Sequence, residues 1–506
     1  MHVLLPLLYI TLFILIIYKW NFFDILLLPR LNLIGFFFIK LLAGFSLWAV
    51  YTYYYQSSSD ASDYFNRSEI IYNVVHSHPL HYIQLLFGIN TTDIQHYYSQ
   101  IPGWDASFDT FLFNDSRTII RINAFLRLIS FGNFHVHTVV MCFVSFIGLT
   151  ALYKTFISFF TGKQMWLLFA VYFVPTVLYW SSGVLKESVL VTGLGLLLYS
   201  TKCGLESPIK RKQFLLFILS LFILLSVKMY VLLLLLPALF SNFISGRFNN
   251  IKLINVYLLV YSGIIALAIT ISLINTDYNI FKIISDKQAK AISEAKGGIF
   301  LENKTNFICI DYENKKQIID LPNGLFKIKN RSSYLQWPLD DMQDTAFISS
   351  STDTSTFKMT YTILPANSNL FFNKTEPTFF AFVKNVPNAI YNSLIRPCFI
   401  NPNSAFELIA IAEAQMIFLF IILALFFYKK PTDEQLPIIL FCLAIALSLL
   451  LLIGFTAPVF GAMVRYKLPA LLFLVIALFL MIDFNKIKSR FTGEKPIANV
   501  SADLSK

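Results

Sequence analysis

The stretch QFLLFILSLFILLSVKMYVLLLLLPALF, residues 213–240, decides the class of fold. Its one charged residue is Lys228 and its one proline is Pro237. A helix needs about 20 apolar residues to cross a bilayer, so this block is too long for one simple span. We predict two short membrane helices, 213–227 and 229–245, which meet at Lys228.

The rest of the chain is similarly apolar. Hydrophobic residues make up 56% of the sequence and charged residues 14%, whereas a typical soluble domain is about a quarter charged. The pattern predicts an all-α polytopic membrane protein of about eleven transmembrane helices with a small β-rich extracytoplasmic insertion. The predicted spans are 3–18, 33–54, 136–153, 165–182, 187–201, 213–227, 229–245, 253–275, 405–428, 435–454 and 467–483.

The placement of Lys and Arg predicts the orientation. The formal charge of +11 is spread over short connections that fall on alternate sides of the spans, and it forms no extended basic patch. The positive-inside rule makes these connections cytoplasmic and both long loops extracytoplasmic, and nothing indicates a nucleic-acid partner. The predicted organisation is two spans (1–54), a first loop (55–135), a central bundle (136–275), a large loop (276–404), the C-terminal spans (405–485) and a cytoplasmic tail (486–506).

Both loops have predicted structure. Residues 117–131 (RTIIRINAFLRLISF) place Arg117, Arg121 and Arg127 on one flank of an amphipathic helix, which we expect to lie on the membrane surface. Alternating apolar residues and a turn at 322–324 predict a β-rich insertion within 298–365.

An acidic motif follows the second span. Asp60 and Asp63 are three residues apart, so they share one face of a helical turn, and Tyr64 follows them. A carboxylate at the membrane edge suits a general base that accepts a proton from a hydroxyl group. The alternative is an ordinary loop with a helix cap, where Ser and Asp are also favoured.

Three cations adjoin apolar blocks. Lys186, next to Glu187, suits a phosphate contact oriented by that carboxylate; the alternative is a turn with a Lys that extends to the interface. Lys228 is either another contact for an anionic head group or a turn residue. Arg465 offers a planar fork for phosphate oxygens, although an interfacial anchor remains the alternative.

No metal site or other cofactor is indicated. His76 and His78 are close in sequence, but no Cys or carboxylate triad accompanies them. A divalent metal therefore has no ligand set to support it.

Two motifs resemble GT-C-type membrane glycosyltransferases, the group of protein mannosyltransferases and lipid A aminoarabinose transferases. The segment 60–64 (DASDY) occupies the loop that carries the family's catalytic Asp, and 465–469 (RYKLP) matches its late Arg-Tyr-x-x-Pro element. The segment 175–187 (PTVLYWSSGVLKE) resembles a stretch of bacterial polysaccharide-assembly membrane proteins. Two departures are an additional helix before the acidic motif and a long loop late in the chain.

The resemblance implies an inverting transferase in the bacterial inner membrane. Its partners would be membrane lipids, a polyprenyl-phosphate carrier with its sugar, and a glycan or lipid-linked acceptor. The catalytic carboxylates would be Asp60 and Asp63, and the substrate-binding residues would be Tyr64, Arg117, Arg121, Lys186, Glu187, Lys228, Arg465, Tyr466 and Lys467.

Three alternatives remain open. An O-antigen-type polysaccharide polymerase would rely on arginines such as Arg117, Arg396 and Arg465 rather than on Asp60 or Asp63. A secondary transporter would show related halves, broken helices and charges near mid-membrane. A non-enzymatic envelope protein would not depend on the charged motifs.

Overall fold

The computed structural model describes most of the chain, and its residues fall into two compact units. The described residues are 3–25, 28–56, 59–89, 91–101, 116–208, 210–247, 251–275, 278–302, 306–328, 333–338, 347–350, 356–363, 365–366, 368, 370, 374–399, 402 and 405–492. The first unit comprises Met1–Val260, Ile409–Leu449 and Leu468–Lys506, and the second comprises Tyr261–Leu408 and Leu450–Lys467.

Helices dominate the described residues. The helices of the first half are α1 (Leu4–Lys19), α2 (Arg30–Ala49), α3 (Asp60–Ser77), α4 (Pro79–Phe87), α5 (Gln95–Ser99), α6 (Arg117–Ser130), α7 (Phe134–Phe156), α8 (Gln164–Leu168), α9 (Pro175–Trp180), α10 (Lys186–Glu206) and α11 (Arg211–Arg247). The helices that follow are α12 (Leu253–Ile274), α13 (Ile280–Lys296), α14 (Phe379–Ile390), α15 (Ala405–Phe426), α16 (Gln435–Thr456), α17 (Phe460–Tyr466), α18 (Leu468–Met481) and α19 (Phe484–Thr492).

The chain is an integral membrane protein with fewer long spans than predicted. Seven helices of the described ranges are long and apolar enough to cross a membrane, or eight if the bent pair α17–α18 forms one span. The predicted count of eleven is therefore not confirmed. The block at 3–18 forms the shorter apolar helix Leu4–Lys19, and the block at 165–182 begins with another, Gln164–Phe173. The two blocks on either side of Lys228 together count as one candidate span, Arg211–Arg247.

The predicted break at Lys228 is present within α11. The backbone of Lys228 leaves the helical region, with φ of −149° and ψ of 78°, between two helical segments. Pro237 lies inside the second segment, where its missing N–H also weakens the helix. The predicted break at Lys228 is therefore confirmed, whereas the prediction of two separate membrane spans on either side of it is not.

The core of the first unit is built from helices that are apolar on every face. Every residue of α18 from Leu468 to Leu480 is buried, as expected for a helix enclosed by other helices. Helix α10 packs against α7 and α11. At the contact between α7 and α10, a Cβ atom added to Gly195 would overlap the backbone of Gly148, so both glycines permit the close approach.

The second unit contains an antiparallel sheet of seven strands in the order β3-β4-β7-β1-β2-β5-β6. The strands are β1 (Gly298–Glu302), β2 (Asn306–Asp311), β3 (Ile318–Leu321), β4 (Leu325–Ile328), β5 (Ser333–Pro338), β6 (Phe347–Ser350) and β7 (Phe357–Ile363). Ile299, Leu301 and Ile310 form its apolar core with Ile328 and Phe357. The sheet and the 3-10 turn Pro322–Gly324 confirm the predicted β-rich insertion.

Candidate functional site

The acidic motif forms the first turn of α3. Ser59 and Ser62 make a reciprocal capping box, in which each side chain accepts a hydrogen bond from the other residue's backbone N–H. Asp60 and Asp63 therefore lie in the first helical turn, where carboxylates are favoured by the helix dipole. The helix cap and the placement of both carboxylates on one turn are as expected from the sequence, and a catalytic role for Asp60 or Asp63 stays a prediction.

The Asp63 carboxylate is held in place by Arg67. The guanidinium of Arg67 donates to both carboxylate oxygens of Asp63, with N–O distances of 2.9 and 2.8 Å. The Asp63 side chain keeps 39% of its exposure, so this pair remains open to solvent. A two-point contact of this kind fixes the direction of the carboxylate as well as its charge.

Apolar packing connects the start of α3 to the turn before α10. Ala61 is buried in one small cluster with Leu47, Val184 and Leu185. This cluster explains why the motif after the second span lies next to the segment 181–187, although more than a hundred residues separate them along the chain.

Lys186 extends toward the acidic turn. Its ammonium donates to Ser116 Oγ at 3.0 Å and lies 5.3 Å from the centre of the Tyr64 ring. Lys186 is 1% exposed and Tyr64 is 5% exposed. A cation over an aromatic ring is stabilised further where water is excluded. The structure thus brings Lys186 to the same turn of α3 as Asp60 and Asp63.

Glu187 and Lys228 form a buried ion pair between α10 and α11. The Lys228 ammonium lies 2.8 Å from Glu187 Oε1, and the two side chains are 3% and 0% exposed. The break in α11 directs the Lys228 side chain to this partner. From the sequence we expected Glu187 to orient Lys186, and Lys228 to be either a contact for an anionic head group or a turn residue. In the structure Glu187 and Lys228 contact each other.

The arginines of α6 are placed differently from the prediction. We expected the arginine flank of this helix to face the membrane surface, but Arg117 and Arg127 are buried. The guanidinium of Arg127 donates to Ser68 Oγ at 2.9 Å and to the Phe65 carbonyl at 2.8 Å, and it lies over the Phe65 ring. Burial lowers the pKa of Arg127, while the nearby Glu69 carboxylate opposes that shift. The flank therefore packs against α3.

Arg121 contacts α4. Its Nε donates to the Leu85 carbonyl at 3.0 Å, near the end of α4. Gly88, which ends α4 with φ of +69°, lies directly beside the Arg121 guanidinium. These contacts place Arg121 at the α4–α6 contact, and they do not join it to Lys186.

Two buried ionisable residues were missed by the sequence analysis. The Lys40 ammonium, in the middle of α2, donates to Ser181 Oγ at 2.6 Å and to Ser182 Oγ at 3.1 Å. In α15, the Glu413 carboxylate accepts a hydrogen bond from the Thr176 backbone N–H at 2.7 Å and another from the Thr176 hydroxyl. The available signal was a single charge inside an apolar span, which is costly enough to need a partner.

Lys40 and Glu413 bind the two ends of α9. The backbone breaks at Val174 before Pro175 begins this six-residue helix, and Glu413 caps the first turn. At the other end, the Lys40 ammonium donates hydrogen bonds to Ser181 and Ser182, which follow the last turn. The two charges therefore fix the segment that leads directly to Lys186.

The late element belongs to the second unit. Arg465 and Tyr466 end α17, and Lys467 follows that helix. The Lys467 side chain is buried and its ammonium donates to the Ser393 carbonyl at 3.0 Å. Its role as a substrate contact stays a prediction.

Within the described ranges, no group of three or more His, Cys, Asp or Glu side chains is placed to hold a metal ion. Comparison with known proteins adds no identification: no family model, curated protein or solved structure matches the chain.

Proposed function

We propose that the chain is a membrane glycosyltransferase that moves a sugar from a polyprenyl-phosphate-linked donor to an acceptor hydroxyl. The observation that carries this proposal is the contact of Lys186 with Tyr64 and Ser116 beside the first turn of α3. It joins a buried cation to a turn that bears two carboxylates. A cation for a leaving phosphate and a base for a hydroxyl nucleophile are the two groups that this transfer requires.

The carboxylates serve the acceptor. As the acceptor oxygen bonds to the anomeric carbon, its proton passes to Asp60 or Asp63. The bond between that carbon and the phosphate oxygen breaks, and its electron pair leaves with the polyprenyl phosphate. A single displacement of this kind inverts the anomeric centre. Arg67 fixes the direction of Asp63 through two hydrogen bonds.

Lys186 serves the phosphate. Its charge stabilises the negative charge that develops on the leaving oxygen, and its burial strengthens this effect because little water screens it. Glu187 and Lys228 neutralise each other and act as positioning residues that hold α10 against the break in α11. A contact of Arg465, Tyr466 or Lys467 with a carrier phosphate stays a prediction from the sequence motif.

The surroundings of the reaction follow from the same chemistry. The carrier is a lipid, so the donor reaches the site from the membrane. The charge asymmetry of the short connections supports an extracytoplasmic site, and the resemblance to bacterial enzymes favours the inner membrane. The acceptor is a glycan or a lipid-linked molecule of the cell envelope.

Turnover of carrier-linked sugars tests this function. Purified protein in vesicles that also contain envelope lipids and glycans as acceptors is given a panel of undecaprenyl-phosphate-linked monosaccharides, and release of undecaprenyl phosphate is measured by mass spectrometry. We expect Asp60→Asn, Asp63→Asn and Lys186→Gln each to lower release of the carrier by roughly a hundredfold or more. Asp93→Asn, at an exposed carboxylate outside the site, should leave release unchanged. No release from any donor, or full activity of the three variants, contradicts the proposal.

The same variants separate the transferase from an O-antigen-type polymerase. The Lys186 ammonium donates to Ser116, and the next residue along the chain is the buried Arg117. An arginine-dependent mechanism could therefore use Arg117 beside Lys186. Full transfer by Asp63→Asn together with loss of transfer by Arg117→Gln would favour the polymerase.

A secondary transporter is the second candidate, and the broken segment at α9 favours it. Discontinuous helices with ionisable residues bound to their ends are typical of transporter sites, and Glu413 and Lys40 occupy such positions. Proton flux across sealed proteoliposomes that Glu413→Gln abolishes would support transport. Equal proton leak for the parent and this variant would count against it.

A further inference from the structure

An apolar groove lies at the end of α10 opposite Lys186. It has a volume of about 290 Å³ and is lined by Gly204 and Leu205 of α10 and by Phe214 and Phe217 of α11. Leu205 is 76% exposed and Phe214 is 54% exposed. Exposed apolar side chains around a concave surface fit a hydrocarbon chain.

Cations border this groove along the chain. Gln213 is the first residue of α11 that lines the groove, and three exposed cations immediately precede it, namely Lys210, Arg211 and Lys212. Among the described residues, none of the three side chains forms an ion pair. Lys202, by contrast, is near Glu206 at 3.7 Å and donates to the Thr155 carbonyl. The three cations therefore leave a net positive charge beside the apolar surface.

The groove lies at the depth of lipid head groups. Helix α10 has 21 residues, which gives a length of about 30 Å at 1.5 Å per residue, close to the thickness of the hydrocarbon core. Its last turn therefore reaches the membrane–water boundary when Lys186 is at the other boundary. At that depth an acyl chain meets Leu205 and Phe214 while a phosphate meets the three cations.

We propose that this surface, which we call the basic groove, binds one anionic diacyl phospholipid. The acyl chain occupies the apolar groove and the phosphate is bound by Lys210, Arg211 and Lys212. Charge complementarity selects the anionic lipid, because a zwitterionic head group brings no net charge to the three cations. The proposal needs only the membrane location and is independent of the transferase function.

Competition between lipids tests the head-group contact. The protein is purified from vesicles of equal phosphatidylglycerol and phosphatidylcholine, and its retained lipids are quantified by native mass spectrometry. We expect phosphatidylglycerol to be retained preferentially by the parent chain. The variant K210Q/R211Q/K212Q should lose this preference by at least about tenfold, because each cation near a membrane surface contributes about a factor of five.

A matched control separates the groove from general surface charge. The variant K486Q/K488Q/R490Q removes three exposed cations from α19 and should keep the preference for phosphatidylglycerol. An equal loss in both triple variants, or equal retention of the two lipids by the parent chain, overturns the proposal. Displacement of phosphatidylglycerol by equimolar undecaprenyl phosphate also overturns it, since the occupant would then be a carrier lipid.

The contact between the acyl chain and the groove is tested by filling the groove with a larger side chain. Gly204→Leu adds a side chain to the lining and should abolish retention of phosphatidylglycerol. Gly35→Leu is the control, since a Cβ atom at Gly35 in α2 meets nothing within 4 Å. Normal retention by Gly204→Leu, in a variant that elutes as a folded protein, overturns the acyl-chain contact.

Discussion

The first unit contains a buried pair of opposite charges. Glu187 and Lys228 are both buried, and each charge depends on the other for compensation. Such a pair contributes little net stability relative to apolar residues of similar volume, but loss of one partner leaves an uncompensated charge. The pair is therefore better suited to holding α10 and the break of α11 in register than to stabilising the bundle.

A double-mutant cycle tests this view of the pair. Lys228→Met and Glu187→Leu should each lower the free energy of unfolding by about 3–5 kcal/mol. The double variant should recover most of that loss because no charge remains buried. Thermal unfolding in detergent measures all four proteins. If the two losses of unfolding free energy simply add in the double variant, the two residues do not depend on each other. If Lys228→Met keeps normal stability but loses carrier release, Lys228 contacts the substrate instead.

Two glycines of α2 should respond in opposite directions to alanine. A Cβ atom at Gly44 would overlap the Ser182 carbonyl oxygen, while one at Gly35 meets nothing within 4 Å. Gly44→Ala should lower the unfolding temperature and weaken the anchoring of the 181–187 segment. Gly35→Ala should be neutral or raise the unfolding free energy by up to about 1 kcal/mol, because alanine has the higher helix propensity. Thermal unfolding of both variants measures this difference, and equal effects would contradict the close approach at Gly44.

Helix α6 is amphipathic as predicted, but its arginine flank contacts another helix instead of the membrane surface. Its polar flank packs against α3, and its exposed side chains are apolar, among them Phe125, Leu128 and Ile129. The Tyr9 hydroxyl of α1 donates to the Ile129 carbonyl, so this face continues the apolar surface of a neighbouring helix. We expect it to contact lipid chains instead of water.

Brominated lipids test the exposure of α6 to the membrane. Phe125→Trp should add fluorescence that is quenched in vesicles with bromine on the acyl chains, measured as the increment over the parent protein. Lys316→Trp, at an exposed position between β2 and β3, should add fluorescence that is not quenched. An unquenched Trp at residue 125 would mean that water or another protein covers this face.

The helices and the break at Lys228 were predictable because they depend on local patterns. Long apolar blocks, a charge within one of them and a turn such as Pro322–Gly324 act through neighbouring residues. The contacts of Lys40 and Glu413 were not predictable, since their partners lie at the two ends of the short helix α9, far away in sequence. Periodicity also gives the two faces of α6 but does not reveal which face another helix covers. The acidic turn was located, but its contact with Lys186 depends on the packing of Ala61.

At the scale of the whole molecule, the span count limits the possible topologies. Between the loops 55–135 and 276–404, the helices that meet the criteria for spans are α7, α10, α11 and α12. An even number of crossings agrees with the predicted spans of that interval, and the location of both loops on one face stays a prediction. Helix α2 precedes the first loop, and the candidate spans after the second loop are α15, α16 and the bent pair α17–α18. The bent pair decides the position of the C-terminal tail.

We expect the bent pair to cross, so that the tail and the loop 276–404 are on opposite faces. Lys486, Lys488 and Arg490 follow α18 directly, and basic residues next to a span favour the cytoplasm. Helix α18 alone has 14 residues, about 21 Å at 1.5 Å per residue, which is too short for the hydrocarbon core unless α17 extends it. Lys316→Cys should react with a membrane-impermeant maleimide in intact spheroplasts, whereas Lys488→Cys should react only after the membrane is opened, with the parent chain as the background. Reaction of both under the same condition would mean that α17 and α18 enter and leave the membrane on one face. The tail would then share the face of the candidate site, and its cations would contradict the charge rule used to orient the whole chain.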